Sequence, residues 1–273
     1  MPNSITNEII LFHVEDRDPA MLFEDANNET LLELCIKSIQ KNSPSSIVKL
    51  ITNAETANKW ILPEIEVVID HDIKTDELMY SRTKSYCKYV KNKIDNDERI
   101  PIAFLDIDIL VTKDFSEVYT EYFDLGVTYR IDDNLSLDSD GIHNNTQVSP
   151  INGGVLFLNS SNECLTFIDE WLHVFENLSN NNKIKNKFVE NIKKWGGDQY
   201  ALMSILGKYL HSHGGRTLNY KGTKVKFFPC DTYNYSPSIG GNIDRDLIKK
   251  IYVLHMKGPR KKYMKQLAEW LSI

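Results

Sequence analysis

The sequence predicts an α/β protein: a single domain, residues 1–273, in which helices flank a central mixed sheet whose strands are mostly parallel. Short apolar runs rich in β-branched residues alternate with segments whose apolar residues recur every three or four positions, as in βαβ units. The 273 residues are 41% hydrophobic and 26% charged, which is enough to build an ordinary core. No internal repeat or linker divides the chain, so one domain is the simplest organisation.

The residue pattern of the amino-terminal part predicts alternating strands and helices. Strands are expected at residues 9–14, 47–52, 65–69 and 102–105, each an apolar run. Between the first two strands, Asn28 opens a helix that would bury Leu31, Cys35 and Ile39 on one face. A second helix, over residues 75–94, combines an apolar face with a wet, basic face. Both helices are of the kind that connects parallel strands.

The pattern is less regular after residue 110. Helical segments are predicted near residues 115–123 and over 164–178, 196–210 and 263–273, and strands over 126–129, 151–158, 224–228 and 251–254. The polar segment 131–149 is too long and too rich in Asp, Asn and Ser for a simple turn. It is interpreted either as a mobile lid or as a variable surface loop.

Charge and hydropathy exclude several functions. Lys and Arg number 32 against 38 for Asp and Glu, a formal net charge of -6, so nucleic acid is not expected as a main partner. The longest apolar runs, 9–12 and 155–158, are too short to span a membrane. The first residues lack the features of a signal peptide, so a cytoplasmic location is expected. The four cysteines form no CxxC pair and are expected to be free, buried thiols.

The run 102–111 carries the strongest candidate for chemistry. Its strand is followed by Asp106 and Asp108, and an extended backbone would place both carboxylates on one face. Two carboxylates at the end of an apolar strand repel each other unless a cation or a hydrogen-bond donor lies between them. A divalent metal ion meets that requirement, and capping of the next turn is the structural alternative.

A second candidate is the loop that follows the apolar strand near residue 254. His255 offers an imidazole ligand, and Gly258 permits close approach of the backbone to a ligand. The loop also carries four cationic side chains, Lys257, Arg260, Lys261 and Lys262. Such a loop suits a diphosphate, and a solvated basic turn before the last helix is the alternative.

Together these two segments resemble the GT-A glycosyltransferases, Rossmann-like enzymes that use a nucleotide sugar and a metal ion, and most closely the glycosyltransferase family 8-like group. In that family a buried strand ends in a DxD motif, matched here by Asp106 and Asp108. A late HxxGxxK loop, matched by His255, Gly258 and Lys261, completes the metal and diphosphate site. The resemblance implies that Asp108 and His255 bind the metal directly and that Asp106 bridges the metal and the ribose.

Two weaker matches precede and follow the DxD strand. Arg82 resembles the helical arginine that family members place near the nucleotide and the donor sugar; a surface arginine is the alternative. Asn152, Gly153 and Gly154 resemble the NxG segment that lines the donor sugar, although glycines also ease entry into a strand.

Asp198 and Gln199 resemble the family's DQ motif, whose carboxylate contacts the donor sugar and whose glutamine lies near the anomeric carbon. Asp198 would also make a good helix N-cap, and the two roles are compatible. The five motifs occur in family order over residues 82–261. The chain departs from the family at Lys262 and Tyr263, where family members often have Pro-Trp.

The resemblance implies a hexosyltransferase-like enzyme that moves a sugar from a nucleoside diphosphate donor, expected to be UDP-linked, to an acceptor hydroxyl, with retention. Mn²⁺ or Mg²⁺ would be the cofactor, and Lys261, with Lys257 or Arg260, would neutralise the leaving diphosphate. The acceptor would be a glycan, a protein or a lipid-linked molecule. The nucleotide-binding part would cover about residues 1–130 and the acceptor side about 131–273, with base and ribose against the first strand.

Three other interpretations compete with this one. A phosphatase of the haloacid dehalogenase type also has a DxD strand, but it requires Thr or Val where Leu110 stands and places that strand near the amino terminus. A sugar-nucleotide pyrophosphorylase would open with a glycine-rich loop, and residues 14–19 contain no glycine. A catalytically silent module that binds a sugar nucleotide or a glycan would keep the fold, so turnover has to separate it from an enzyme.

Three further polar segments have weaker signals. His211 and His213 have a spacing that could hold a metal on a strand, but the glycines that follow favour a loop. The Asp70–Asp72 segment is interpreted as a polar strand end that faces the site. Asp231, after the strand near residue 228, would lie either at the acceptor pocket or in a turn.

Overall fold

The computed structural model describes residues 6–15, 28–59, 65–130, 150–180, 192–194, 196–213, 215–238 and 244–273. The predicted lid, residues 131–149, lies outside the described residues. The chain divides into two compact units. The first unit comprises Met1–Ile69, Pro101–Tyr122 and Cys230–Ile273, and the second comprises Asp70–Ile100 and Phe123–Pro229. Each unit therefore combines segments from both sides of residue 130. The division into a nucleotide-binding part and an acceptor side remains a prediction from the sequence.

The described residues form ten strands, numbered in chain order. They are β1 (Glu8–Phe12), β2 (Ile47–Thr52), β3 (Glu66–Ile69), β4 (Ile102–Leu105), β5 (Ile109–Val111), β6 (Leu125–Tyr129), β7 (Ile151–Leu158), β8 (Thr217–Tyr220), β9 (Thr223–Pro229) and β10 (Val253–His255).

The described helices are likewise numbered in chain order. They are α1 (Asn28–Asn42), α2 (Ala54–Ala57), α3 (Leu78–Asp95), α4 (Asn162–Asn180), α5 (Gly197–Leu206), α6 (Leu210–His213), α7 (Cys230–Tyr233), α8 (Arg245–Ile248) and α9 (Met264–Trp270). Short 3₁₀ segments lie at Thr75–Glu77, Ser116–Thr120, Gly207–Tyr209 and Gly258–Tyr263.

The first unit contains four parallel strands in the order β3-β2-β1-β4. Every residue of β1 and β4 is buried, as expected for strands in the interior of a parallel sheet. Helix α1 connects β1 to β2 and buries Leu31, Leu32, Cys35 and Ile39, which recur at helical spacing. The same unit holds a two-stranded antiparallel ribbon, in which β10 pairs with β5.

The second unit contains the strands β7-β6-β9-β8 and the three long helices α3, α4 and α5, which pack against one another. Strands β6 and β9 are parallel, whereas β6 is antiparallel to β7 and β9 to β8. Ser161 caps α4, because its hydroxyl accepts a hydrogen bond from the backbone N–H of Cys164. The α4 face that carries Phe167, Trp171 and Phe175 is buried. The predicted α/β class, with a mixed and mostly parallel set of strands, is confirmed.

Several predicted elements differ from the observed ones. The run 102–111 is not one extended strand, because a turn at residues 106–108 separates β4 from β5. The helical piece expected near residues 115–123 is a short 3₁₀ segment. Strand β8 was not predicted, and the helix expected over 196–210 ends as an α-helix at Leu206. All four cysteines are free and buried, as predicted.

Within the described part of the chain, no helix combines the length and the apolar composition that crossing a bilayer requires.

Candidate functional site

Three side chains that the sequence singled out meet in the first unit. One ligand atom from each of Asp106, Asp108 and His255 lies within 4.8 Å of the other two. His255 Nε2 is 3.2 Å from an Asp108 carboxylate oxygen and 3.6 Å from an Asp106 oxygen. The Asp106 side chain is 24% exposed, whereas those of Asp108 and His255 are 9% and 4% exposed. Among the described residues, no other set of three or more His, Cys, Asp or Glu converges in this way.

The two carboxylates converge through a turn and not through strand alternation, so the expectation of an extended backbone was wrong. β4 ends at Leu105, and β5 leaves to pair with β10. Two contacts hold the turn between them: the Cys35 thiol faces the Asp106 carbonyl oxygen at 3.8 Å, and the Met256 N–H donates to the Asp108 carbonyl oxygen at 2.7 Å. The second contact also ties the turn to the histidine loop.

Backbone pairing fixes the position of His255. It lies opposite Ile109 in the β5–β10 ribbon, and its N–H donates to the Tyr235 carbonyl oxygen at 2.8 Å. Its Nδ1 lies 2.8 Å from the side-chain oxygen of Asn234, a fully buried residue. The opposite ring nitrogen, Nε2, therefore faces the carboxylates.

The electrostatics of this cluster favour the ionised form of Asp108. Burial opposes ionisation of Asp108, but the neighbouring His255 and Lys261 outweigh it and hold the pKa of Asp108 well below its usual range. Lys261 Nζ lies 3.3 Å from the second oxygen of Asp108. Burial, with the nearby Asp108 charge, raises the pKa of the Cys35 thiol, so Cys35 stays protonated. Two carboxylates and an imidazole form a donor set that can hold a divalent metal ion.

The basic loop uses its residues in different ways. Gly258 has φ +62°, and a Cβ atom there would meet nothing within 4 Å. The glycine is therefore favoured by its left-handed backbone and not by crowding. Arg260 donates through Nε to the Pro237 carbonyl oxygen and through Nη1 to that of Lys257, at 3.4 Å for the latter. Lys261 contacts the carboxylate cluster through its ion pair with Asp108.

A second cluster lies in the second unit. The guanidinium of Arg82, on α3, forms an ion pair with the Asp198 carboxylate, on α5. Their side chains are 10% and 1% exposed, so Arg82 is not the surface arginine of the alternative interpretation. The Trp171 indole N–H donates to the Asp198 carbonyl oxygen at 2.9 Å. Within the described residues, the second carboxylate oxygen of Asp198, Oδ1, is buried without a hydrogen-bond partner.

Asp198 does not cap its helix, and that alternative prediction was wrong. The N-cap of α5 is Gly196, in a left-handed conformation with φ +73°, and no side chain caps this helix end. Asp198 lies in the first turn, where the helix dipole favours a carboxylate, and it points to Arg82.

Gly153 of β7 packs closely against this ion pair. A Cβ atom on Gly153 would lie 3.1 Å from an Asp198 carboxylate oxygen and 3.2 Å from Gln199 Cγ. The Gly153 N–H points to the Gln199 side-chain oxygen at 3.4 Å, and the Asn152 side-chain oxygen accepts from the Gly154 N–H at 2.9 Å. The β6–β7 register shifts at this point, which is a bulge of the kind often found beside functional sites.

The structure gives the contacts or elements of the remaining polar candidates. Asp70 accepts hydrogen bonds from Ser85 and Lys88, and Asp231 is exposed in the first turn of α7. The pair at positions 211 and 213 lies in α6 and not in the predicted loop. The sequence analysis missed Asn234, because no motif or residue spacing marks a buried asparagine as part of a site.

No protein-family model matches the chain, and no curated protein matches it in sequence.

Solved glycosyltransferase structures resemble the chain in fold. A galactosyltransferase, LgtC, in complex with donor and acceptor sugar analogs, has a TM-score of 0.51 and 13% identity, over 97% of this chain and 96% of that one. Mouse xyloside xylosyltransferase 1 has a TM-score of 0.51 and 11% identity, over 92% and 97%. The glycosyltransferase GlyE of Streptococcus pneumoniae TIGR4 has a TM-score of 0.53 and 12% identity, over 98% and 60%. The chain thus has the GT-A fold of these glycosyltransferases, as the sequence resemblance implied.

Proposed function

We propose that the chain is a metal-dependent glycosyltransferase of the family 8-like group, which moves a sugar from a UDP-linked donor to an acceptor hydroxyl. The observation that carries the proposal is the convergence of Asp106, Asp108 and His255 in a protein with the GT-A fold. A DxD motif alone is common, but a DxD turn joined by a buried histidine is a ligand set.

The residues present fit a divalent cation such as Mn²⁺ or Mg²⁺. Asp106 and Asp108 supply hard oxygen ligands, and His255 presents Nε2 toward them. The partial exposure of Asp106 leaves that carboxylate accessible to the ribose as well. The bound cation would supply Lewis acidity to the diphosphate of the donor.

The basic loop would stabilise the leaving group. Departure of a diphosphate from the anomeric carbon builds negative charge on the leaving oxygens and positive charge on the sugar. Lys261 lies beside the cluster, so its ammonium would contact the diphosphate. Lys257, Gly258 and Arg260 belong to the same loop and would also line the diphosphate.

The second cluster would hold the donor sugar. Asp198 Oδ1, buried and without a hydrogen-bond partner among the described residues, is an acceptor suited to a sugar hydroxyl, and Arg82 forms an ion pair with the other carboxylate oxygen. Gln199 would lie near the anomeric carbon, and Asn152, Gly153 and Gly154 would line the sugar, as the resemblance implies. In this scheme the reaction proceeds with retention, and Asp198 and Gln199 position the donor and stabilise developing positive charge.

The acceptor would be a glycan, a protein or a lipid-linked hydroxyl, and the transferred sugar a hexose. The cytoplasmic location also stays a prediction from the sequence. The structures of LgtC and xyloside xylosyltransferase 1 bear names that indicate galactosyl and xylosyl transfer, so both sugars belong in the donor panel.

Turnover tests the proposal. The chain is incubated with UDP-galactose, UDP-glucose and UDP-xylose, each with Mn²⁺ or with EDTA, and release of UDP is followed. Release of UDP from one donor that requires Mn²⁺ is expected, even when water is the only acceptor. Equal release in EDTA would contradict the metal dependence. Tight binding of a donor that is never consumed would instead indicate the catalytically silent module.

A further inference from the structure

We infer that Asn234 is a positioning residue for the metal centre: its side-chain oxygen fixes the His255 ring with the proton on Nδ1 and the lone pair of Nε2 toward Asp106 and Asp108. The inference rests on the metal role proposed above for His255. It assigns a function to a residue that carries no charge and matches none of the motifs.

The hydrogen bond itself sets the tautomer. The atom of Asn234 that faces His255 Nδ1, at 2.8 Å, is the amide oxygen, which can only accept. Nδ1 must therefore carry the proton in this contact. In a neutral imidazole the other nitrogen then has a free lone pair, and Nε2 is the atom that lies 3.2 Å from Asp108.

The backbone holds Asn234 in register with His255. Tyr235 donates its N–H to the Val253 carbonyl oxygen at 2.9 Å and accepts the His255 N–H at 2.8 Å. The Asn234 N–H donates to the Cys230 carbonyl oxygen at 3.0 Å, which closes the turn of α7. The residue that bonds the imidazole is therefore anchored on both sides, with little freedom to move away.

Because the contact between Asn234 and His255 is buried, its loss should affect the orientation of the imidazole ring. Asn234 and His255 are both buried, so water cannot readily replace the amide oxygen if it is removed. Outer hydrogen bonds to a metal-ligating histidine fix its tautomer and ring orientation, and their loss typically costs about 10- to 100-fold in metal affinity. Asn234 occupies that outer position.

The test compares Asn234→Leu, which keeps volume and removes the acceptor, with Asn234→Asp, which keeps it. Mn²⁺ alone is titrated calorimetrically into each. The affinity is expected to fall roughly 10- to 100-fold in Asn234→Leu and to be retained in Asn234→Asp. Asn7→Leu is the control, because Asn7 is also fully buried in the first unit and accepts a hydrogen bond, from Ser46. It should change stability without changing Mn²⁺ affinity.

A second readout needs no metal. Long-range ¹H–¹⁵N NMR spectra of the metal-free chain distinguish the two imidazole tautomers, and the His255 signal is assigned by its loss in His255→Gln. Nδ1 is expected to carry a proton. A neutral ring that is protonated only at Nε2 would overturn the inference, as would unchanged Mn²⁺ affinity in Asn234→Leu. A wild-type chain that shows the Nδ1 tautomer yet binds no Mn²⁺ would overturn the proposed metal site and, with it, the positioning role.

Discussion

The two polar clusters solve the same problem, a buried carboxylate, in opposite ways. In the second unit, Asp198 forms an ion pair with Arg82, and Gly153 packs against the Asp198 carboxylate. In the first unit, Asp106 and Asp108 both lie near His255, Asp108 also contacts Lys261, and Asp106 is partly exposed. The cluster in the first unit offers three ligand atoms that converge, whereas the cluster in the second unit presents a buried carboxylate oxygen, Asp198 Oδ1. The first arrangement suits a cation, and the second suits a hydroxyl donor.

The largest effect is expected from Asp108→Asn. This change keeps the shape but removes an anionic ligand, so Mn²⁺ affinity and metal-dependent turnover should fall by at least about 100-fold. Calorimetric titration and a UDP-release assay measure the two effects. Unchanged Mn²⁺-dependent turnover would remove the DxD assignment.

Asp198→Asn should lower the stability of the chain and leave Mn²⁺ binding unchanged. Removing the carboxylate charge breaks the buried ion pair with Arg82, so the free energy of unfolding should fall by about 3 kcal/mol. Mn²⁺ affinity should be unaffected. Denaturant unfolding measures the stability, and the double variant Arg82→Met/Asp198→Leu should recover most of it as a matched apolar control. If Asp198→Asn weakened Mn²⁺ binding and left stability intact, the contrast between the clusters would be wrong.

A buried histidine should make the stability of the chain sensitive to acid. Burial is the main cause that lowers the pKa of His13, at the end of β1, to about 4. The unfolded chain binds a proton at this residue near pH 6.5 and the folded chain only near 4, so stability is lost as the pH falls between these values. The loss should reach about 2 kcal/mol between pH 8 and pH 5.

His13→Gln removes that titration and should flatten the profile by the same amount in denaturant unfolding at the two pH values. Asp70, in the second unit, should contribute little to the pH dependence of stability between pH 8 and pH 5. The pKa of Asp70 is lowered from 3.8, as its hydrogen bonds from Lys88 and Ser85 outweigh burial, so its contribution is lost only at more acidic pH. A wild-type profile that is already flat between pH 8 and pH 5 would contradict the prediction for His13.

Two glycine substitutions give the smallest effects and differ in kind. In Gly153→Ala the new methyl group presses on Asp198 and Gln199, which should cost about 1 to 2 kcal/mol and raise the KM for the donor. In Gly258→Ala the methyl group meets open space, and only the left-handed backbone resists it, at about 1 kcal/mol. Unfolding and donor kinetics separate them. Equal effects on KM would show that Gly153 has no special relation to the donor.

Local patterns predicted most of the strands and helices of both units, because the spacing of apolar residues within a short segment indicates which face is buried. β2, β4 and β7 match their predicted bounds. The turn at Asp106–Asp108 was missed because pairing between β5 and β10, more than a hundred residues apart in the chain, decides where β4 ends. The N-cap prediction for Asp198 failed because the helix begins at Gly197, after the left-handed Gly196, which places Asp198 in the first turn.

The candidate metal site shows the same division. Asp106, Asp108 and His255 could be named from residue type and motif order, since metal ligands are drawn from a few residue types. Asn234 and Cys35 could not, because their importance arises only when the fold places them against the histidine and the turn. Chemistry-bearing residues are thus visible in the sequence, and the residues that orient them become visible in the structure.

The central claim is that the first cluster binds a nucleoside diphosphate together with a divalent cation. Thermal unfolding of wild type and Asp108→Asn, with UDP and Mn²⁺ added separately and together, tests it most directly, because a ligand that binds only the folded chain raises the unfolding midpoint. The account predicts that UDP and Mn²⁺ together raise the wild-type midpoint well beyond either alone and have no such effect on Asp108→Asn. A wild-type midpoint that does not move, or an equal rise in both proteins, would contradict it.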